Sequence, residues 1–177
     1  QGIPVITLGV WVWRSGADRF IAFGLWFGAL GDIFLNMPGA FLSGMVAFAI
    51  GHGLYVYAFW RWQPAHALVF IIPIALYLGL ALNLMLPGTG ALSVPVTLYM
   101  SIIGAMIWRA TAVALHPDDD WRIRWLPVFG ALLFAFSDTL IGLNKFVSPL
   151  PGVSYPIILT YWGGQSLIAA SALVRLR

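Results

Sequence analysis

Two carboxylates and one imidazole stand inside long apolar runs of this sequence. Asp32 sits in the run 19–36, Asp138 in Ala131–Phe146 (ALLFAFSDTLIGLNKF), and His52, flanked by Gly51 and Gly53, in the run 40–60. A charged side chain at mid-helix in hydrocarbon is unfavourable by roughly 2.5–3.5 kcal/mol on insertion scales, so an intramembrane acid marks a functional site by default. Two carboxyl groups in one low-dielectric site can divide the work of acid and base. They are equally suited to proton-coupled transport. The alternative is a structural role, each acid hydrogen-bonded to a Ser, Asn or Tyr neighbour.

Other polar side chains fall near these three. Asn36 is one helical turn beyond Asp32, and Asn144 and Lys145, the only lysine, lie about two turns beyond Asp138. The last apolar run carries Tyr161 and Gln165. His66 and His116 fall in connecting segments, where surface roles explain them. A zinc site needs three converging ligands, and with neither Cys nor Glu in the chain no metal site is expected. The acidic run Asp118–Asp120 reads as a solvated turn, since three consecutive side chains cannot converge on one ion. No Gly-x-Ser-x-Gly elbow, phosphate loop or dinucleotide fingerprint is present. The lysine at a helix end does not suit a retinal Schiff base.

The elements that must position these groups are membrane helices. The 177 residues are 61% hydrophobic and 8% charged, against about a quarter charged in a soluble domain, and the mean hydropathy is +0.92. Residues 3–13 form most of a first helix. Spans follow at about 19–36, 40–60, 67–86, 92–114, 125–144 and 154–174, set off by Pro, Gly or charge. The fold class is thus all-α, a polytopic transmembrane bundle of about seven helices. Charge alternates between its ends. Arg14, Arg19, Arg61, Arg109, Arg122, Arg124, Arg175 and Arg177 fall at one side with most tryptophans, and Lys145 alone at the other. The positive-inside rule puts the arginine side and the C-terminus in the cytoplasm. With no basic stripe outside those loops, a nucleic-acid partner is not expected; the partner is the lipid bilayer. Gly24–Gly28 has the small-xxx-small spacing of plain helix packing.

An internal repeat organises the polar residues. GALGDIFL (Gly28–Leu35) parallels FAFSDTLI (Phe134–Ile141), and GHGL (Gly51–Leu54) parallels GQSL (Gly164–Leu167). Four helices separate the copies, so four-helix repeats would run parallel and bring Asp32, His52, Asp138 and Gln165 towards one centre. Both aspartates lie about 13 residues, roughly 20 Å, into their spans.

The segments GDIFL (Gly31–Leu35), AFAIGHGLYVYAF (Ala47–Phe59), SDTLIGLNKF (Ser137–Phe146) and YWGGQSLIAASAL (Tyr161–Leu173) together resemble the lysoplasmalogenase family of YhhN-like membrane proteins. The Ser-Asp…Asn-Lys-Phe element is the most specific part. The resemblance implies an eight-helix bundle, of which 1–177 would be a single transmembrane domain lacking the first helix. The family's Lys-Pro near its second helix is represented at best by Pro4. It further implies hydrolysis of the vinyl ether bond of lysoplasmalogens to a fatty aldehyde and a glycerophospho-ethanolamine or -choline, with no cofactor. The family's polar positions fall on Asp32, His52, Asp138, Asn144, Lys145, Tyr161 and Gln165.

That reaction suits the residues. Protonation of the vinyl β-carbon gives an oxocarbenium ion, water adds, and the hemiacetal collapses, a task close to glycoside cleavage by two carboxyl groups. The expectation is that Asp32 and Asp138 are the catalytic pair, with His52 holding water or tuning one of them. Lys145, Asn144 and Asn36 would meet the headgroup of a lysophospholipid, with Tyr161 and Gln165 completing the substrate site. The rival readings are a transporter of small molecules or lipids with proton-coupled aspartates, and a receptor or assembly protein in which the acids only fix helix register.

Overall fold

The computed structural model describes residues 2–116 and 120–176. They form seven α-helices: α1 (Gly2–Arg14), α2 (Arg19–Leu35), α3 (Phe41–Trp62), α4 (Ile71–Thr89), α5 (Ser93–Ala114), α6 (Trp121–Phe146) and α7 (Ser154–Val174). Short 3₁₀ turns at Leu68–Phe70 and Gly90–Leu92 lead into α4 and α5. Among the described residues, four segments are long and apolar enough to cross a membrane: Phe41–Trp62, Leu68–Ala114, Trp121–Phe146 and Ser154–Val174. The second holds α4 and α5 and, at 47 residues, suffices for two crossings of about 20 residues each. The 17 residues of α2 stand at the lower limit for one.

Two boundaries differ from the sequence reading. α6 begins a full turn earlier than residue 125, because the Asp120 carboxylate accepts from Arg122 N and caps it. Pro127 is therefore inside the helix, and Asp138 lies about 26 Å along it rather than 20. α4 runs through Pro87 and stops only at Gly90, whose φ of 53° lies in the left-handed region that favours glycine. Asp118 and Asp119 of the acidic run, and Arg177, lie outside the described residues; Asp120 serves as the helix cap.

Contacts at the helix ends fix the course of the chain. At one end, Asp18 caps α2 at Phe20 N, accepts from Trp62 Nε1 (2.9 Å) and pairs with Arg61 (3.6 Å). Arg175 lies over the Trp62 ring. Arg109, buried in α5, donates to the carbonyls of Gln63 and Ala65, and Arg124 Nε to that of Ala114. These arginines gather at one end of the bundle, and Arg61, Arg109, Arg124 and Arg175 each hold a neighbouring segment. At the other end Lys145 stands over the Phe41 ring, and Gly88 backs onto the Phe146 carbonyl. Successive helices therefore alternate in direction.

The centre is built from two matching helix pairs. A methyl group added at Gly51 of α3 would stand 2.9 Å from the Gly24 carbonyl oxygen of α2; one added at Gly164 of α7 would stand 2.9 Å from that of Gly130 in α6. Helices with no Cβ at the crossing approach until backbone meets backbone. From these anchors the equivalences run on: Asp32 and Asp138 each lie eight residues past their glycine, and His52 and Gln165 directly follow theirs. Tyr55 fills the Gly24 notch as Ile168 fills that of Gly130. α1 packs against α2 and α7, α5 against α6 and α3, while α4 lies outside against α5 and α6. The exposed Ile72, Leu76 and Leu80 of α4 face outward as a hydrocarbon-facing surface should.

Candidate functional site

Both aspartates are buried at this centre, Asp32 4% and Asp138 8% exposed. They differ in surroundings. Asp138 is held by α5: Tyr99 donates its O–H to Oδ2 at 2.5 Å. His52 Nε2 lies 3.9 Å from the same oxygen, too far for a hydrogen bond. The imidazole is wedged edge-on against Phe134, with centroids 4.4 Å apart, and near the rings of Phe48, Tyr55 and Tyr99.

Asp32 belongs to a second group. The Tyr161 hydroxyl lies beside it and acts on its charge without completing a well-formed hydrogen bond. One turn on, Gln165 accepts from the Tyr55 hydroxyl through Oε1 at 2.6 Å. Gly28 makes this approach possible: a methyl there would stand 2.6 Å from Gln165 Nε2 and 3.4 Å from the Tyr161 hydroxyl. Asp32 Oδ2, both His52 nitrogens, the Tyr161 hydroxyl and Gln165 Nε2 are buried with no hydrogen-bond partner. A buried polar atom without a partner is unfavourable by about 1–3 kcal/mol, so this cluster stands apart from the apolar packing around it.

A narrow apolar cleft, about 40 Å³ in volume, reaches Asp138. Asp138 and Tyr99 are its polar lining; Met45, Phe48, Met85 and Met100 enclose it, and Leu35, Phe41 and Phe146 stand at its far end. Lys145, exposed and over the Phe41 ring at 4.3 Å, marks that end. Asp32 and His52 do not line the cleft. The two acids therefore differ in setting: Asp138 borders the apolar cleft, and Asp32 lies outside it among buried polar atoms.

The structure brings Asp32, His52, Asp138, Tyr161 and Gln165 together. The remaining expected residues lie at the Lys145 end with structural bonds of their own. Asn36 caps α2, donating Nδ2 to the Asp32 carbonyl at 2.7 Å, and Asn144 accepts from Leu150 N at 2.8 Å, pinning the segment between α6 and α7. Among the described residues no three His, Cys, Asp or Glu side chains converge as metal ligands. Sequence reasoning missed Tyr99. Tyr77, another tyrosine in an apolar helix, bonds only to the Ala135 carbonyl and Thr139, and nothing in the local pattern separates the two. It also read Gly28 as plain packing, although this glycine admits Gln165 to the site.

Known proteins resemble this chain over most of its length. Human lysoplasmalogenase TMEM86A is 40% identical over 93% of this chain and 69% of its own length. Human lysoplasmalogenase TMEM86B is 36% identical over 97% of this chain and 73% of its own. The lysoplasmalogenase of Mycobacterium bovis (strain ATCC BAA-935 / AF2122/97) is 29% identical over 86% of this chain and 59% of its own. No solved structure matches it. The YhhN family model matches residues 1–172, and the chain belongs to the YhhN family.

Proposed function

We infer that this protein is a lysoplasmalogenase, a membrane-embedded hydrolase that splits the vinyl ether bond of a lysophospholipid. The relatives that carry this name span nearly the whole chain. The observation that carries the mechanism is the division of the two acids, Asp138 on the apolar cleft and Asp32 among the orphaned polar atoms.

The roles follow from that division. Asp138 gives its proton to the vinyl β-carbon; Tyr99 holds Oδ2 and leaves Oδ1 to deliver it. The α-carbon becomes an oxocarbenium centre. Water held by His52, Tyr161 and Gln165 adds to it and loses a proton to Asp32. Asp32 then returns that proton to the glycerol oxygen as the hemiacetal C–O bond breaks. The hemiacetal O–H proton goes to Asp138, restoring both acids and releasing the aldehyde. His52 and Gln165, equivalent in the two halves, face the water from opposite pairs of helices.

The spacing of the cleft supports headgroup binding at Lys145. Lys145 is seven residues past Asp138, on the same helical face and about 10 Å along the axis. In a lysoplasmalogen seven bonds, about 9 Å extended, separate phosphorus from the vinyl β-carbon. An ammonium at the headgroup and a carboxyl at the double bond match that length. Asn36 and Asn144 contribute the polar atoms their structural bonds leave over. The arginine-rich end supports a cytoplasmic C-terminus.

Aldehyde release by Asp32→Asn and Asp138→Asn, made separately, tests the pair. Loss of one acid or base is expected to lower kcat by about 10²–10⁴-fold with the fold retained. Near-normal turnover by either folded variant would end the two-carboxylate mechanism.

A further inference from the structure

The cleft accounts for the headgroup and the reacting bond, but a long-chain substrate continues beyond the double bond. Past Asp138 the way is closed by His52 and Phe134, both fully buried and in edge-to-face contact. On the α4 side it is closed by Met85, 1% exposed. A second cavity lies on the outer surface between α3 and α5. Val46, Ala49 and Ile50 form one wall, Leu98 and Ile102 the other, and Met45 and Tyr99 the floor. Met45 and Tyr99 also line the cleft. The groove is thus one side chain away from the reacting carboxyl, since the tyrosine that lines it bonds to Asp138. Two other apolar surface cavities, beside α4, share no residue with the cleft.

We propose that the groove between α3 and α5 is the binding site for the alkenyl chain of the substrate, admitted sideways from the bilayer past Met45 and Tyr99. This rests on the lysoplasmalogenase reading and specifies where that substrate lies. The headgroup stays at the Lys145 end, the double bond meets Asp138, and the chain turns out between the helices to lie along Val46 and Leu98. From Leu42 to Ile50 the groove is about 12 Å long, so most of a long chain remains in contact with protein. The occupant is a single hydrocarbon chain because every wall residue is apolar and the groove opens on the hydrocarbon-facing surface. Lipid tails are as apolar as the walls, so the groove selects by shape and length rather than by a hydrophobic driving force.

The test compares two vinyl ether lysophospholipids, one with a long alkenyl chain and one with a chain of a few carbons that ends near Tyr99. Ala49→Phe places a ring in the groove, and Ala75→Phe, in the separate α4–α5 cavity, is the control. The ratio of long-chain to short-chain kcat/KM is expected to fall at least tenfold in Ala49→Phe and to stay at the wild-type value in Ala75→Phe. An unchanged ratio in folded Ala49→Phe overturns the proposal while leaving the hydrolase reading intact. Photolabelling of the wild type, with an alkyl ether lysophospholipid carrying a diazirine in mid-chain, does not depend on a variant folding. Label is expected in peptides from 41–62 and 93–114; label confined to 71–89 or spread evenly over the outer surface overturns the groove. Absence of aldehyde from either substrate with the wild type would instead reject the hydrolase reading, and the labelled peptides would still decide whether the groove holds the chain.

Discussion

A hydroxyl held 2.5 Å from a buried carboxyl oxygen fixes which oxygen is left for chemistry. Tyr99 does this for Asp138 from a separate helix, so the acid is oriented before substrate arrives. Tyr99→Phe keeps the ring that lines both cavities and removes only the donor. A hydrogen bond to a carboxyl group is worth about 1.5–3 kcal/mol when that group is charged, as Asp138 would be after giving up its proton in the proposed mechanism. The expected outcome is a fall in kcat of about tenfold to a hundredfold with KM for the long-chain substrate little changed. A purely structural tyrosine would lower thermal stability and leave kcat of the folded fraction intact. Measuring kcat against the folded fraction separates the two. At this scale the sequence was partly legible. Asp32, His52 and Asp138 stood out because charge in an apolar run is rare, and Tyr161 and Gln165 because of the family motifs. Tyr99 did not, because a tyrosine in an apolar helix is ordinary until its partner is known.

Helix pairs set the distances between those residues. α2 with α3, and α6 with α7, close on glycines whose hydrogens face a carbonyl of the neighbour. The repeat read from GALGDIFL and FAFSDTLI fits this geometry, since each aspartate sits eight residues past its contact glycine. The start of α6 was less legible, because the apolar run pointed to residue 125 while the deciding feature was the Asp120 cap. Gly51→Ala and Gly164→Ala would each push a methyl into backbone 2.9 Å away, where no side chain can yield. Overpacking of this kind is unfavourable by about 1–3 kcal/mol. Both variants are expected to unfold at lower temperature in detergent and to lose activity, because spreading either pair moves His52 or Gln165 off the proposed water site. Gly53→Ala, two residues from Gly51 but with open space around its Cβ, is expected to match the wild type. Equal melting temperatures for all three would show that the glycine contacts do not set the spacing.

The whole molecule is polar at its ends in two different ways. At one end arginines bind Asp18, Gln63, Ala65 and Ala114 and lie over Trp62; at the other a single lysine stands at the mouth of the cleft. The basic excess at one end is the basis of the proposed orientation, since cationic loops tend to remain on the cytoplasmic side. On the proposed orientation the cleft would open towards the opposite leaflet, and the proposed headgroup site at Lys145 would lie there. The chain contains no cysteine, so one introduced thiol can report its own side. Ser148, exposed in the segment between α6 and α7, and Ser15, exposed between α1 and α2, lie at the two ends. In intact cells an impermeant maleimide is expected to label Ser148→Cys and to reach Ser15→Cys only after permeabilisation. The reverse pattern would turn the bundle over and bring the Lys145 mouth, with the proposed headgroup site, to the cytoplasmic leaflet, leaving the internal geometry of the acids unchanged.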